Sequence, residues 1–135
     1  MLGAAYYPED WDEGEQQSDI TKMVEAGISV VRIGEFAWSC MEPKEDQFDF
    51  SWLHRVIDRL AHAGIRVILG TPTATPPIWL EEKDPVMRLL DDVNLRHDHG
   101  GRRHCCSNNP TYQRHSMKIV RAMAKEFGKH PNVIG

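Results

Sequence analysis

Cysteine, basic runs and long apolar stretches are all scarce in this sequence, and each scarcity excludes something. No apolar run approaches the ~18 residues that a membrane-spanning helix requires, so no membrane partner is expected. The N-terminus carries no basic segment followed by an apolar one, so no secretion signal is read there. The three cysteines, Cys40, Cys105 and Cys106, are odd in number and lack framework spacing. A disulfide-stapled scaffold is therefore excluded, and a reducing, cytoplasmic setting is expected. Lys and Arg (16) are outnumbered by Asp and Glu (20), giving a net charge of -4. The densest basic stretch, Arg102-Arg103-His104, is too short for an electrostatic stripe, so no nucleic-acid partner is expected. A G-x-G-x-x-G turn is also missing after the first strand, which removes the main support for a nucleotide-binding open sheet.

What is present alternates in type. Residues 2–6 read as a strand, broken by Tyr7-Pro8-Glu9-Asp10. A helix follows over about 13–26, with Ile20, Met23 and Val24 at helical spacing and Gly27 as its stop. Residues 29–33 are β-branched and continuous, as expected of a strand buried on both faces. The unit then repeats: Ser51 is placed to cap a helix whose face is Trp52, Val56, Ile57, Leu60 and Ala61, and residues 66–69 form a third strand. An irregular stretch over 71–109 contains one helical turn at Ile78-Trp79-Leu80. Asn109 and Pro110 then suit the N-cap and first position of a long helix with Met117, Val120, Met123, Ala124 and Phe127 on its apolar face. Val133-Ile134 reads as the start of a fourth strand. Strands separated by crossover helices make a parallel sheet. The fold expected is α/β: about three βα units and the start of a fourth strand of a (β/α)8 barrel, over residues 1–135 as one portion of a domain. A closed barrel takes eight such units and about 250 residues.

In such a barrel the segments after each strand share one rim, where active sites are built. Tyr6-Tyr7-Pro8-Glu9-Asp10-Trp11 follows the first strand, Gly34-Glu35-Phe36-Ala37-Trp38 the second, and Gly70-Thr71-Pro72-Thr73-Ala74-Thr75-Pro76-Pro77 the third. Aromatic faces beside charged and hydroxyl groups suit a sugar, and would serve many other small polar ligands. Arg32 in the run Val30-Val31-Arg32-Ile33 cannot be buried unpaired without a heavy cost. It is either a structural ion pair, with Glu35 as the nearest partner, or a guanidinium facing substrate. Glu9, Asp10, Glu35 and Glu42 are more simply explained as caps, turns or ion pairs than as catalysts. Trp52 is assigned to helix core, whereas Trp38 and Trp79 fall in rim segments. The stretch from His97 to Cys106 is rich in His and Cys but matches no standard zinc spacing. It is better read as donating one ligand to a site completed elsewhere.

Taken together, these blocks resemble the opening of the family 42 glycoside hydrolases. The matching residues are Tyr6-Tyr7-Pro8-Glu9-Asp10-Trp11, Arg32-Ile33-Gly34-Glu35-Phe36-Ala37-Trp38 with Glu42-Pro43, and Gly70 to Pro77 with Trp79-Leu80. Gly101-Arg102-Arg103-His104 with Cys106, Asn109-Pro110 and Tyr112 completes the series in the family's order. The resemblance implies a retaining β-galactosidase barrel acting on terminal β-D-galactosides, and a homo-oligomeric parent. It assigns Arg32, Glu35, Trp38 and Arg102 to substrate binding, and Cys106 to the first of four cysteines that hold a structural zinc in some members. Cys105 stands where an aromatic is more usual. The family's acid/base glutamate and its nucleophile both fall beyond Gly135, so residues 1–135 alone are expected to be inactive. Two readings of another class stay open: a non-catalytic sugar-binding half-barrel, and a small zinc protein using His97, His99, His104 and Cys106. A relative acting on arabinopyranosides is the nearest enzymatic alternative.

Overall fold

The computed structural model describes all residues from Met1 to Gly135. Its chain divides into two compact units. The first comprises residues 1–35, 50–70 and 126–135, and the second residues 36–49 and 71–125.

The first unit is built on a parallel sheet of β1 (Gly3–Ala5), β2 (Val30–Ile33) and β3 (Arg66–Leu69), in that spatial order. The register pairs Ala5 with Arg32 and Arg32 with Ile68. The expected fourth strand begins where it was placed: Val133 bridges Val67 in parallel, and Leu69 N donates to Gly135 O at 2.8 Å. Helix α1 (Glu13–Glu25) starts on a capping box, with the Asp12 carboxylate accepting from Gly14 N and Glu15 N and the Glu15 side chain reaching back. Gly27, at φ 74°, provides the left-handed turn that ends it. Ile20 and Met23 are buried, but Val24 is half exposed.

Helix α3 (Ser51–His62) departs from expectation at its start and on its face. Phe50 is the capping residue, Ser51 is already helical, and no side chain closes the N-terminus. The buried stripe is Leu53, Val56, Ile57 and Leu60, while Trp52 is only half buried and Ala61 is exposed. Leu53 packs at the i, i+3, i+4, i+7 positions, so the stripe is rotated one residue from the one read in the sequence.

The strands also differ from a sheet buried on both faces. Val31, Ile33 and Val67 are fully buried, whereas Arg32 and Ile68, adjacent in register, lie on an open face. Side chains alternate across a strand, so Arg32 points away from the helix-covered side while its neighbours point into it.

The second unit holds α2 (Trp38–Met41), which the sequence did not announce, α4 (Ile78–Lys83), and most of α5 (Pro110–Phe127). Asn109 caps α5 as expected, its Oδ1 accepting from Tyr112 N at 2.9 Å. The buried stripe of α5 is His115, Ile119, Met123 and Phe127. Of the face read in the sequence, Met123 and Phe127 hold, but Met117 is 51% exposed and Ala124 is exposed. A histidine takes the buried position at the start of the stripe, which is why counting apolar residues rotated the face.

Candidate functional site

The C-terminal ends of β1, β2 and β3 lie side by side, and the residues immediately beyond them carry the polar cluster of the first unit. Arg32 Nη2 donates to Glu35 Oε1 at 2.9 Å, and its Nε contacts Glu35 Oε2. This is a two-point guanidinium–carboxylate pair, the strong and directional form of the interaction. Tyr7 donates its hydroxyl to the same Oε1 at 3.2 Å. The Glu35 side chain is 12% exposed and that of Arg32 is 51% exposed. The pair therefore presents the outer N–H groups of the guanidinium outward, over a carboxylate that is largely shielded. The two readings of Arg32 are compatible: it is paired with Glu35, and it also faces solvent.

Gly70 fixes where Glu35 sits. Its N–H donates to Ile33 O at 2.9 Å, and a Cβ on Gly70 would fall 2.5 Å from the Glu35 Cβ and 3.0 Å from its Cα. Only a glycine lets the end of β3 approach the Glu35 backbone this closely. Gly34, at φ 81°, provides the turn that swings Glu35 back over β2.

In the same unit, both oxygens of the Glu9 carboxylate and the Tyr6 hydroxyl are buried with no hydrogen-bond partner on another residue. Burial pushes the Glu9 carboxyl above its usual range, opposed by a bond to its own backbone and reinforced by the Asp10 and Glu35 charges. Burial likewise pushes the Tyr6 hydroxyl up to about 12, with Asp19 adding to it.

In the second unit, Arg102 is exposed and its guanidinium lies 5.2 Å from the centroid of the Phe36 ring, a cation–π contact. The left-handed Arg103 (φ 58°) ties this turn down by donating its N–H to Ala74 O at 2.9 Å. Trp38 is fully buried, and its indole N–H donates to Glu42 Oε2 at 2.8 Å. It exposes no ring face, so in this structure it supports the loop from within. The other oxygen of the buried Glu42 accepts from Asp46 N, and the Glu42 carbonyl accepts from Trp79 Nε1. Trp79 is half buried and packs edge-on against His115.

Cys106 is half buried, with its backbone bonded to Met87 and Asn109. No group of three or more potential metal ligands includes it, so the residues present do not complete a zinc site around it. Burial pushes the Cys105 thiol up to about 12, with Glu81 adding to the shift, which favours its protonated form.

Retaining glycosidases use two carboxyl groups about 5 Å apart, one of them open to attack the sugar. Here both Glu35 oxygens are engaged by Arg32, and both Glu9 carboxylate oxygens are buried.

Residues 5–135 match the profile of glycoside hydrolase family 42, described as Beta-galactosidase. Among curated relatives, the β-galactosidase YesZ of Bacillus subtilis is 47% identical over 98% of this chain and 20% of its own length. A Thermus thermophilus β-galactosidase is 44% identical over 100% of this chain and 21% of its own. Among solved structures, the psychrophilic Marinomonas ef1 β-galactosidase superposes with a TM-score of 0.91 at 40% identity, covering 98% of this chain and 20% of that one. The β-galactosidase of the Antarctic haloarchaeon Halorubrum lacusprofundi does so at 0.91 and 37%, covering 100% and 20%. The parallel strands and crossover helices are thus the N-terminal part of an α/β barrel. The chain belongs to glycoside hydrolase family 42, and it spans about a fifth of the length of the relatives it matches.

Proposed function

We propose that this chain forms part of the sugar-binding rim of a retaining β-galactosidase that hydrolyses terminal β-D-galactosides. The observation that carries the reading is the two-point Arg32–Glu35 pair at the strand ends, held by Tyr7 and by the close approach of Gly70. A guanidinium whose inner edge is locked by a carboxylate points its remaining donors in a fixed direction, which suits a pair of sugar hydroxyls. Arg102 on Phe36 is a second, exposed cation suited to sugar hydroxyls. Trp38 serves by holding Glu42 and its own loop from within.

The chemistry of this class is protonation of the leaving oxygen by a carboxylic acid, formation of a covalent glycosyl-enzyme, and attack by water. Residues 1–135 contribute orientation to that sequence and no acid, base or nucleophile. The same reading includes Cys106 as one zinc ligand completed by residues outside this chain, a homo-oligomeric whole protein and a cytoplasmic setting. The three free thiols support the last of these.

The test is turnover of a chromogenic β-galactoside. The protein at its natural length is expected to hydrolyse it, with Arg32→Met reducing kcat/KM at least about 100-fold, the loss typical of removing a charged hydrogen-bonding group at a reacting substrate. Purified residues 1–135 are expected to show no turnover. Hydrolysis by residues 1–135, or an Arg32→Met variant with unchanged kcat/KM, would overturn the reading.

A further inference from the structure

A second cluster of chemistry-bearing side chains lies wholly within the second unit and takes no part in the sugar-binding rim. Glu81, near the end of α4, is 1% exposed. Its Oε1 faces His104 Nε2 at 2.5 Å and also His99 Nδ1, while its Oε2 accepts from Arg88 Nε at 2.7 Å. The three candidate ligand atoms, one each from Glu81, His99 and His104, all lie within 4.8 Å of one another. His104 is 1% exposed, and the His99 side chain is 42% exposed.

The orientation of His104 is the informative feature. Its Nδ1 sits against the Gly101 carbonyl oxygen, which can only accept, so Nδ1 carries the hydrogen. Nε2 faces the Glu81 carboxylate, which also only accepts, so a positive species, a proton or a metal ion, lies between the two. A metal-bound histidine characteristically donates its other ring N–H to a backbone carbonyl or carboxylate, fixing tautomer and ring orientation. His104 has that arrangement already. Arg88 has the complementary effect on Glu81: by holding Oε2 it aims Oε1 alone at the two imidazoles.

We propose that Glu81, His99 and His104 form a divalent-cation site of the zinc type, with two imidazole nitrogens and one carboxylate oxygen as ligands. Two histidines and a glutamate are an established zinc set, with ligand distances of about 2.0–2.2 Å and hence ligand–ligand separations of roughly 3.3 Å. Reaching that geometry takes an outward shift of the imidazoles from Glu81, and the half-exposed His99 has room to make it. The site is separate from Cys106, which is not in the cluster, and it does not depend on the proposed hydrolase activity. Its role is to clip the segment that carries Arg88, His99 and His104 onto α4, because the three are otherwise contributed by an irregular stretch.

The experiment uses Co2+ as the probe with the protein at its natural length. Metal is stripped with chelator, Co2+ is added, and bound cobalt is measured by elemental analysis alongside the visible spectrum. A nitrogen–oxygen site gives d–d bands without the near-ultraviolet charge-transfer band of a cobalt thiolate. Wild type carries the proposed cysteine site as well, so the signature is read in Cys106→Ser, which is expected to take up one equivalent in the nitrogen–oxygen site. His99→Ala and His104→Ala are each expected to lose it, with at least about a 10-fold fall in affinity. Both substitutions are made in the Cys106→Ser background. Because His99 is half exposed, His99→Ala remains decisive even if His104→Ala fails to fold. The proposal is overturned if the Cys106→Ser protein shows no thiolate-free cobalt signature, or if adding His99→Ala to it leaves the bound cobalt unchanged.

Discussion

Replacing Gly70 with alanine tests the packing that places Glu35, because the sign of the effect depends on whether the close approach is real. Gly70 does not have a positive φ, so nothing in its backbone conformation resists a side chain. In open space, Gly70→Ala would therefore stabilise the fold by about 0.4–1 kcal/mol, since alanine loses less backbone freedom on folding. The structure instead puts the new Cβ 2.5 Å from the Glu35 Cβ, 3.0 Å from its Cα and 3.2 Å from its N. Ordinary contact begins near 3.4 Å, so the two chain segments must part by about 0.9 Å. None of the three atoms can rotate away, because all are backbone or anchored directly on it. The bond from Gly70 N to Ile33 O lies in the path of that movement. Overpacking of this kind costs about 1–3 kcal/mol. Urea unfolding followed by tryptophan fluorescence is expected to show a lower midpoint for Gly70→Ala at unchanged slope. Gly64→Ala is the control. Gly64 has φ 74° and no atom near its missing Cβ, so it bears only the left-handed backbone penalty of about 1–2 kcal/mol. A Gly70→Ala variant as stable as wild type, or more so, would refute the close approach and with it the account of how Glu35 is positioned.

Two further outcomes follow from the packing and the buried charge. Ile119→Ala is expected to cost about 2–5 kcal/mol, because its side chain is fully buried, while Met117→Ala stays within about 0.5 kcal/mol; urea melts giving the reverse order would mean that α5 buries the face read from its sequence. Glu9→Gln is expected to gain stability relative to wild type as pH rises from about 4.5, the carboxyl's ordinary value, through its raised folded value. In that window the folded protein holds a proton that the unfolded chain releases, so Glu9 makes the wild type lose stability with rising pH, and glutamine removes that loss. Parallel pH profiles for the two proteins would show that Glu9 is not buried and unpartnered.

The elements of this chain were legible because their signals are local. A β-branched run ended by glycine marks β2, and Asn109-Pro110 marks the start of α5, each within a few residues of the feature it specifies. Arg32 and Glu35 were legible for the same reason, being three residues apart in one motif that needs only a turn at Gly34 to close the pair. The stripes on α3 and α5 were misjudged because both helices carry more apolar residues than one face can bury. Which edge of a wide apolar arc finds a partner is decided by the neighbours, and those are remote in sequence. On α5 the deciding position is His115, which burial pushes below its usual range so that it packs as a neutral ring.

The Glu81 cluster lay further out of reach. Glu81 sits in Glu81-Glu82-Lys83, which reads as a solvated helix end, and its histidines arrive 18 and 23 residues later. Reading His97 to Cys106 as a possible metal segment found two of the three candidate ligands, His99 and His104, but could not supply the third. Spacing rules for metals assume that ligands come in short pairs along the chain. When a loop folds back onto a helix, the ligand set is defined by the packing of that loop, and the sign left in the sequence is a surplus of histidine with no partner in view. Gly70 illustrates the same limit. Its place after a strand predicts a turn, yet its function is to leave room for a backbone that enters the site 35 residues earlier in the chain, and only the register of β2 against β3 brings the two together.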